Sequence, residues 1–268
     1  MLEKLLPKIV MLAVSAGHAV MEVYADSTDI VAIKTDNSPL THADLASDLI
    51  IREGLQELGL GWPLLSEESA QLDFIERQAW QRFWLIDPLD GTKEFIKRNG
   101  EFTVNIALIE NGVPILGVVY APALKTCYYG ASGVGAFVKR GDLNPQPIVV
   151  ASYDVNEIMR VVISRSHCNS RTQKLLDQMG EYECIRIGSS LKMCLVAEGA
   201  AHFYPRLGQT MEWDTAAAHA VVCAAGGCVQ DREGLQLRYN KSDLRNLDFF
   251  VFSSRNKTLS KVINNFNS

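Results

Sequence analysis

The chain has 268 residues, of which 47% are hydrophobic and 21% charged, and its formal net charge is −5 at pH 7. This composition is typical of an ordinary globular protein and argues against an intrinsically disordered chain. The acidic balance, without a long basic run, argues against nucleic-acid binding. The six cysteines form no C-x-x-C pair, so we expect reduced thiols.

The N-terminal sequence predicts an amphipathic helix over residues 2–24, because its apolar side chains recur at helical spacing. These apolar positions are Leu5, Ile9, Leu12, Ala16, Ala19 and Val23. The first residues lack the charge-then-apolar layout of a signal peptide. No run of about 20 apolar residues occurs, so we expect no transmembrane segment and a cytoplasmic protein.

Two stretches place acids at the ends of predicted elements. Thr41 is a suitable N-cap for a helix whose third residue is Asp44, so Asp44 serves either a cap or a functional site. Residues 62–66 predict a short strand that ends in Glu67-Glu68. A surface turn explains this pair on its own. Beside acids on a neighbouring strand, Glu67 becomes a candidate metal ligand.

The most informative stretch is W-L-I-D-P-L-D-G-T, residues 84–92. Residues 83–86 predict a buried strand, because they form a short, apolar, aromatic-rich run. Pro88 cannot donate to a strand ladder, so we expect the regular strand to end before it. Gly91 permits a tight bend or a close backbone approach.

Asp87 and Asp90 then converge at the end of this strand. Two carboxylates at one point repel each other unless a cation lies between them, and their hard oxygens favour Mg²⁺ or Mn²⁺. The amides and hydroxyl of Gly91-Thr92 are suited to a phosphate. The alternative is a plain turn, in which these residues serve backbone geometry alone.

Residues 102–109 and 113–120 flank Asn111-Gly112, a strong hairpin signal. Further strand-like segments follow, so this region is predicted to be a contiguous antiparallel sheet rather than a doubly wound fold. Residues 141–145 are the best candidate boundary. We therefore expect an N-terminal α+β half over residues 1–145 and a C-terminal α/β half over residues 146–268.

The second half alternates predicted strands and helices. Gly188-Ser189-Ser190 follows a strand and precedes a helix, an arrangement that can bind an anion, with Lys192 one turn in. A plain helix cap with a solvated lysine explains this segment equally well. Asp214 lies where another helix begins, a position at which aspartate serves well as an N-cap. His167 alone is more typical of a satisfied histidine than of a ligand.

Three motifs, taken in order, resemble the inositol monophosphatase superfamily of Mg²⁺-dependent, lithium-sensitive phosphatases. They are Glu67-Glu68, Asp87-Pro88-Leu89-Asp90-Gly91-Thr92 and Trp213-Asp214-Thr215-Ala216-Ala217. Within the superfamily, Lys93-Glu94-Phe95 resembles the 3′(2′),5′-bisphosphate nucleotidase branch, since inositol monophosphatases usually carry Thr-Asn-Phe there. Segments similar to that branch's nucleotide contacts are Ser164-Arg165-Ser166-His167, Ser189-x-x-Lys192 and Tyr204-Pro205-Arg206.

The resemblance implies an α+β / α/β fold, a layered α-β-α-β-α sandwich of the inositol monophosphatase and fructose-1,6-bisphosphatase type, with the site between its halves. It implies that Glu67, Asp87 and the Leu89 carbonyl hold a first metal. Asp87, Asp90 and Asp214 would hold a second, and a weaker third would lie near Glu67. The ions are expected to be Mg²⁺, with Mn²⁺ able to substitute and with Ca²⁺ and Li⁺ inhibitory.

The reaction implied is removal of the 3′-phosphate of adenosine 3′,5′-bisphosphate (PAP), giving AMP and phosphate by attack of a metal-activated water. The sulfated nucleotide PAPS is a further expected substrate, within sulfate assimilation. Asp44 and Thr92 would activate the water, and the C-terminal half would carry the nucleotide contacts. The implied substrate-binding residues are Glu67, Leu89, Asp90, Gly91, Thr92, His167, Ser189, Lys192, Arg206 and Asp214.

Two other functions remain open at this point: an inositol or other sugar monophosphatase, and a nucleotide sensor without turnover. Lys93-Glu94-Phe95 argues against the first. The complete ligand set, with the Asp44–Thr92 pair, argues against the second. A small-molecule nucleotide is the one partner implied, and the sequence does not give the oligomeric state. Peripheral attachment to the inner membrane is suggested for close relatives, yet no residue indicates it.

Overall fold

The computed structural model describes residues 1–26, 30–33, 39–69, 72–154, 157–165 and 169–254. The predicted substrate contact at His167 falls outside these ranges.

Two helices and a small β-ladder form the N-terminal part of the chain. Helix α1 spans Leu2–Asp26 and packs on α2, His42–Glu57, and strands β1 and β2, Ile30–Ile33 and Pro39–Thr41, pair antiparallel between them. The buried face of α1 repeats every three or four residues, which confirms the amphipathic prediction. Its fully buried positions include Ile9, Ala13, Ala16 and Val20.

The first large sheet has seven strands, which follow one another in space as they do in sequence. They are β3 Leu64–Ser66, β4 Arg82–Asp90, β5 Thr103–Glu110, β6 Val113–Ala121, β7 Thr126–Ala131, β8 Gly135–Arg140 and β9 Gln146–Ile148. Strands β3 and β4 run parallel, and the other neighbours run antiparallel. Short helices lie between strands: a 3₁₀ turn at Glu67–Ser69, α3 Phe74–Arg77 and α4 Thr92–Ile96.

The predicted hairpin joins β5 to β6. Asn111 and Gly112 both have positive φ, 50° and 73°. Positive φ at both central residues defines the turn type that matches the twist of a two-residue hairpin. The turn sequence therefore sets the pairing of Glu110 with Val113, and a register shift between Leu108 and Ile109 then places Ala107 opposite Gly117.

The second half forms a five-stranded sheet in the order β11-β10-β12-β16-β14, with a separate two-stranded β13–β15 ladder. The strands are β10 Met159–Ser164, β11 Tyr182–Ile187, β12 Phe203–Arg206, β13 Thr210–Met211, β14 Gly227–Asp231, β15 Arg245–Asn246 and β16 Phe249–Ser253. The helices are α5 Ser170–Asp177, α6 Leu191–Ala197 and α7 Glu212–Ala224. These elements match the predicted alternation of strands and helices.

The elements stack as five layers, and this confirms the expected α-β-α-β-α sandwich. Helices α1 and α2 cover one face of the seven-stranded sheet, α6 and α7 lie between the two sheets, and α5 covers the outer face of the second sheet. Strand β4 is buried on both faces: Phe83 and Leu85 point to one core, Trp84 and Ile86 to the other. This explains its continuous apolar sequence.

Helix α1 is also long and apolar enough to cross a membrane, with a mean hydropathy of 1.4 over Leu2–Ala25. This is weak evidence, because the core helix of a soluble protein passes the same test. One third (33%) of this apolar stretch of α1 is buried inside the protein, where the helix packs on α2 and on strands β5, β6 and β7.

The expected boundary at residues 141–145 is followed by β9, which still pairs with β8 in the first sheet. Helix α7 of the second half also packs against strands of both sheets. The two halves therefore share one central layer, and the division at residue 145 remains a prediction.

Close packing of α7 on β6 depends on Gly117. A β-carbon added there would lie 2.0 Å from the Ala217 carbonyl oxygen and 2.9 Å from the Ala220 Cβ. We expect Gly117→Ala to lower the free energy of unfolding by about 3 kcal/mol, because the backbone of α7 must move away. Urea unfolding measures this. The control is Gly208→Ala, whose new methyl group would meet, among the residues that the structure describes, only the Asn169 Nδ2 atom at 3.6 Å. A loss below about 1 kcal/mol contradicts the claim of close packing.

Candidate active site

A cavity of about 250 Å³ lies between the two halves. It opens where β4, β10 and β12 end and where α4, α6 and α7 begin. The predicted site residues at its wall are Glu67, Asp87, Leu89, Asp90, Gly91, Thr92, Ser189, Lys192, Arg206 and Asp214. The structure thus brings together ten positions that lie up to 147 residues apart in the sequence.

The end of β4 differs from the prediction. The strand does not stop before Pro88 but continues to Asp90. Its register with β5 shifts between Asp87, which pairs with Asn105, and Asp90, which pairs with Thr103. Pro88 lies in this bulge, where its missing N–H removes no regular ladder bond.

The bulge places both carboxylates at the cavity wall. Asp87 is almost fully buried, with 1% of its surface exposed. Its Oδ1 accepts a hydrogen bond of 3.0 Å from the Leu89 amide. Gly91 follows with φ of 95°, a conformation that glycine adopts without strain. This backbone turn starts α4 at Thr92.

Asp44 completes the predicted cap and also contacts Thr92 at the cavity. Its Oδ2 accepts hydrogen bonds from the Thr41 amide at 2.8 Å and the Thr41 hydroxyl at 2.6 Å, which completes the predicted capping box of α2. Its Oδ1 lies 3.4 Å from the Thr92 hydroxyl, which also lies 3.3 Å from the Leu89 carbonyl oxygen. The cap therefore fixes a buried carboxylate against Thr92 at the cavity.

Asp90 and Asp214 come from opposite halves and are held by the same residue. The Ser190 amide and hydroxyl both lie 2.6 Å from Asp90 Oδ2, and the hydroxyl lies 2.9 Å from the Asp214 carbonyl oxygen. Asp214 is the third residue of α7 rather than its N-cap, and its Oδ2 accepts a bond of 2.9 Å from the Met211 amide. Ser190 thereby links the end of β4 to the start of α7.

Removal from bulk water dominates the electrostatics of this acidic group. Burial raises the pKa of Asp90, and its hydrogen bonds from Ser190 and the charge of Lys192 act in the opposite direction. Burial raises the pKa of Asp214 well above its usual value, and the negative charges of Asp90 and Glu67 add to the shift. Carboxylates in this situation are stabilised in their charged form by a nearby cation.

Cationic and polar groups line the same cavity. The Lys192 ammonium lies 2.5 Å from the Ser189 carbonyl oxygen and 6.0 Å from the Tyr204 ring centroid. Burial lowers the pKa of Lys192, while Asp90 raises it. Arg206 donates to the Gln209 carbonyl at 2.9 Å, but its buried Nε has no partner among the described residues, and neither has the Ser189 hydroxyl. Unpaired buried donors of this kind suit a ligand that accepts hydrogen bonds.

Among the predicted site residues that the structure describes, Asp44 does not line the cavity and contacts Thr92, which does. The predicted contact His167 lies outside the described residues. Sequence reasoning also missed residues that the fold brings to the wall, including Met193, Thr210 and Phe249. Ser190 belongs to the Gly-Ser-Ser segment that the sequence indicated, but its bond to Asp90 spans 100 residues and has no local signal.

The donor set fits a hard divalent cation. Five acidic residues, Glu67, Asp87, Asp90, Glu94 and Asp214, line the cavity together with Leu89, and carboxylate and carbonyl oxygens are ligands that suit Mg²⁺. Within the described ranges, no three His, Cys, Asp or Glu side chains lie close enough together to hold a metal ion as they stand, so the fit rests on the chemical type of the donors. The described wall also contains no cysteine or histidine, so it offers neither a thiol nucleophile nor a zinc-type ligand set.

The fold and this site define a class of protein. Residues 1–261 match the model of the inositol monophosphatase family, and the chain belongs to that family. The family is metal-dependent, typically with Mg²⁺, and its members are enzymes. Among solved structures, an IMPase from Thermotoga maritima superimposes with a TM-score of 0.79 at 25% identity, over 96% of this chain and 94% of that one.

More similar relatives belong to one branch of the family. The chain is 51% identical to the 3′(2′),5′-bisphosphate nucleotidase CysQ of Salmonella typhimurium, over 88% of this chain and 94% of the relative. It is 36% identical to the protein of the same name from Haemophilus influenzae, over 90% and 89%. The crystal structure of CysQ from Bacteroides thetaiotaomicron matches with a TM-score of 0.81 at 42% identity, over 91% and 95%. The expected family resemblance is thereby confirmed.

Proposed function

We propose that this chain is a phosphatase that hydrolyses the 3′-phosphate of adenosine 3′,5′-bisphosphate, giving AMP and phosphate. The observation that carries the proposal is the cavity itself, whose lining combines carboxylates with Ser189, Lys192 and Arg206. A metal-dependent site beside a cationic pocket suits a substrate with two phosphates. Relatives of about 50% identity named as bisphosphate nucleotidases support the same activity.

The metal ligands in this proposal are the carboxylates already described. Glu67, Asp87 and the Leu89 carbonyl would hold one Mg²⁺, and Asp87, Asp90 and Asp214 a second, with a weaker third near Glu67. Bound Mg²⁺ supplies Lewis-acid chemistry, because it neutralises charge on the phosphate and on the leaving oxygen. Mn²⁺ should substitute, and Ca²⁺ and Li⁺ should inhibit.

The protein's own groups orient the nucleophile. Thr92 accepts a hydrogen bond from the attacking water and donates its own hydroxyl proton toward Asp44, 3.4 Å away, so that the pair acts as the general base. The water oxygen bonds to phosphorus, the bond from phosphorus to the 3′-oxygen breaks, and that oxygen leaves with the electron pair and is protonated from water. The amides that follow Gly91 cradle the phosphate at the start of α4.

The second half supplies the nucleotide contacts in this proposal. The Ser189 hydroxyl and the Arg206 Nε, both buried and without a described partner, would bind the remaining phosphate and the ribose, and Lys192 would add a charge. His167 stays a proposed contact. In this proposal most metal ligands lie in residues 1–145, and the nucleotide contacts lie in residues 146–268.

The cytoplasm is the location that fits this function, since PAP arises in sulfate assimilation. The finding that bears on attachment to a membrane surface is the apolar character of α1, whose inner face packs in the core. No comparison supports peripheral attachment.

The proposal is tested by phosphate release from PAP and from inositol 1-phosphate, measured side by side with Mg²⁺ and with added Li⁺. We expect a strong preference for PAP and inhibition by Li⁺. A preference for inositol 1-phosphate would retain the fold and overturn the nucleotide pocket. Binding of PAP without turnover would identify a sensor rather than an enzyme.

We expect Lys192→Ala to raise KM for PAP by roughly 10- to 100-fold, because a charged hydrogen-bond donor to the substrate is lost. KM for inositol 1-phosphate should change much less. Steady-state kinetics with both substrates measures this, and Lys174→Ala on the exposed surface of α5 is the control. Equal losses with the two substrates would discredit the nucleotide pocket.

A further inference from the structure

We propose that Glu101 is a positioning residue that holds the nucleotide side of the cavity, Gly188–Ser190, against its phosphate side, Gly91. The inference rests on the proposed function, which assigns the phosphate to one side and the nucleotide to the other. Glu101 lies in the segment between α4 and β5. It does not line the cavity and would act through the backbone that does.

The carboxylate of Glu101 bridges the two halves of the protein. It accepts two hydrogen bonds from the Arg165 guanidinium, from Nε at 2.7 Å and from Nη2 at 2.6 Å. It also accepts a hydrogen bond of 2.8 Å from the Gly188 amide. Arg165 donates further to the Arg186 carbonyl at 2.9 Å. The bidentate geometry fixes the carboxylate so that it faces the Gly188 amide.

The backbone of Glu101 is in close contact with both sides. A β-carbon on Gly91 would lie 3.2 Å from the Glu101 carbonyl oxygen, and one on Gly188 would lie 2.9 Å from the same atom. A third contact excludes a side chain at Gly188, because its β-carbon would also lie 2.9 Å from Glu94 Cγ. The two glycines therefore permit a close approach that the Glu101 side chain then secures.

The segment held in this way is strained and functionally placed. Ser189 has φ of 46°, an unfavourable conformation for a residue with a side chain, and it follows Gly188 directly. Such strain persists only where the surroundings hold it. In this backbone conformation the Ser189 hydroxyl is buried and has no partner among the described residues, while the Ser190 amide donates to Asp90. Release of Gly188 would relax this geometry.

A purely electrostatic role of Glu101 and a positioning role predict opposite effects of Glu101→Ala on nucleotide binding, so the direction of the change distinguishes them. Removing the negative charge of Glu101 leaves the positive charge of Arg165 near an anionic substrate. A purely electrostatic role predicts tighter nucleotide binding by Glu101→Ala. A positioning role predicts weaker binding, because the Ser189 hydroxyl and the neighbouring amides no longer meet the nucleotide in the right geometry.

We expect Glu101→Ala to raise both KM for PAP and the calorimetric Kd for AMP about tenfold, with kcat within about threefold of the wild-type value. Glu101→Gln retains an oxygen that accepts the Gly188 amide, so it should recover most of the affinity. Arg165→Met leaves that bond in place and should cost about threefold or less. The control is Asp243→Ala, which removes an exposed carboxylate that also pairs with an arginine, Arg245.

The outcomes separate the two proposals. Unchanged or tighter AMP binding by folded Glu101→Ala overturns the positioning role. So does a loss of kcat without a change in KM. If Glu101→Ala does not fold, the Gln and Met variants decide: an affinity loss of tenfold or more in both, although each retains an acceptor for the Gly188 amide, contradicts the role assigned to that bond. A wild-type protein that neither binds AMP nor turns over PAP contradicts the proposed function first, and this inference with it.

Discussion

Asp87→Asn is expected to abolish turnover of PAP and to weaken Mg²⁺ binding by more than about a hundredfold. Loss of a residue that merely orients a metal ligand typically costs 10- to 100-fold in affinity, and Asp87 is proposed as a ligand to two ions. Asparagine keeps the size and the acceptor for the Leu89 amide, so the bulge in β4 should survive. PAP kinetics over a range of Mg²⁺ concentrations and a calorimetric Mg²⁺ titration measure the two effects separately.

The control for Asp87 is Asp243→Asn, because the Asp243 side chain is 56% exposed and lies in an ion pair away from the cavity. It should leave both Mg²⁺ binding and turnover unchanged. Near-normal rates of Asp87→Asn at saturating Mg²⁺ would contradict the bridging assignment. Retained Mg²⁺ affinity with lost turnover would move Asp87 from metal binding to another role.

Thr92→Ala is expected to lower kcat by about 10²- to 10⁴-fold, the usual contribution of a general acid–base group, with a small effect on KM. The hydroxyl that connects the water to Asp44 is lost, whereas the Gly91 turn and the amides of α4 still bind the phosphate. Single-turnover and steady-state rates with PAP measure the split between kcat and KM.

The matched variant for Thr92 is Thr92→Ser, which keeps the hydroxyl and removes only a methyl group. It should retain most of the activity. A rise in KM with kcat unchanged in Thr92→Ala would show that Thr92 grips the phosphate without activating water. Equal damage by the Ser and Ala variants would assign the loss to packing.

The sequence was sufficient to predict features that depend only on neighbouring residues. The Asn111-Gly112 turn, the Thr41–Asp44 cap and the amphipathic face of α1 are each set by residues within one or two turns. Asp87 and Asp90 could be placed at a strand end for the same reason. The exact end of β4 could not, because the bulge that accommodates Pro88 depends on pairing with β5.

The parts that sequence could not supply depend on contacts between distant segments. Ser190 binds an aspartate 100 residues away, and Glu101 pairs with an arginine 64 residues away. Neither bond has a periodic or compositional signal. The family resemblance, rather than any local pattern, grouped the distant residues of the proposed metal site. It assigned no role to Glu101.

The central claim is that a metal-dependent site removes the 3′-phosphate of a bisphosphorylated nucleotide, and product analysis tests it most directly. PAP is incubated with the enzyme and Mg²⁺, and the products are followed by phosphorus NMR. We predict one equivalent of phosphate and adenosine 5′-monophosphate, with no reaction after complete metal removal and recovery when Mg²⁺ is restored. Formation of adenosine 3′-monophosphate, or turnover that survives metal removal, would contradict the account.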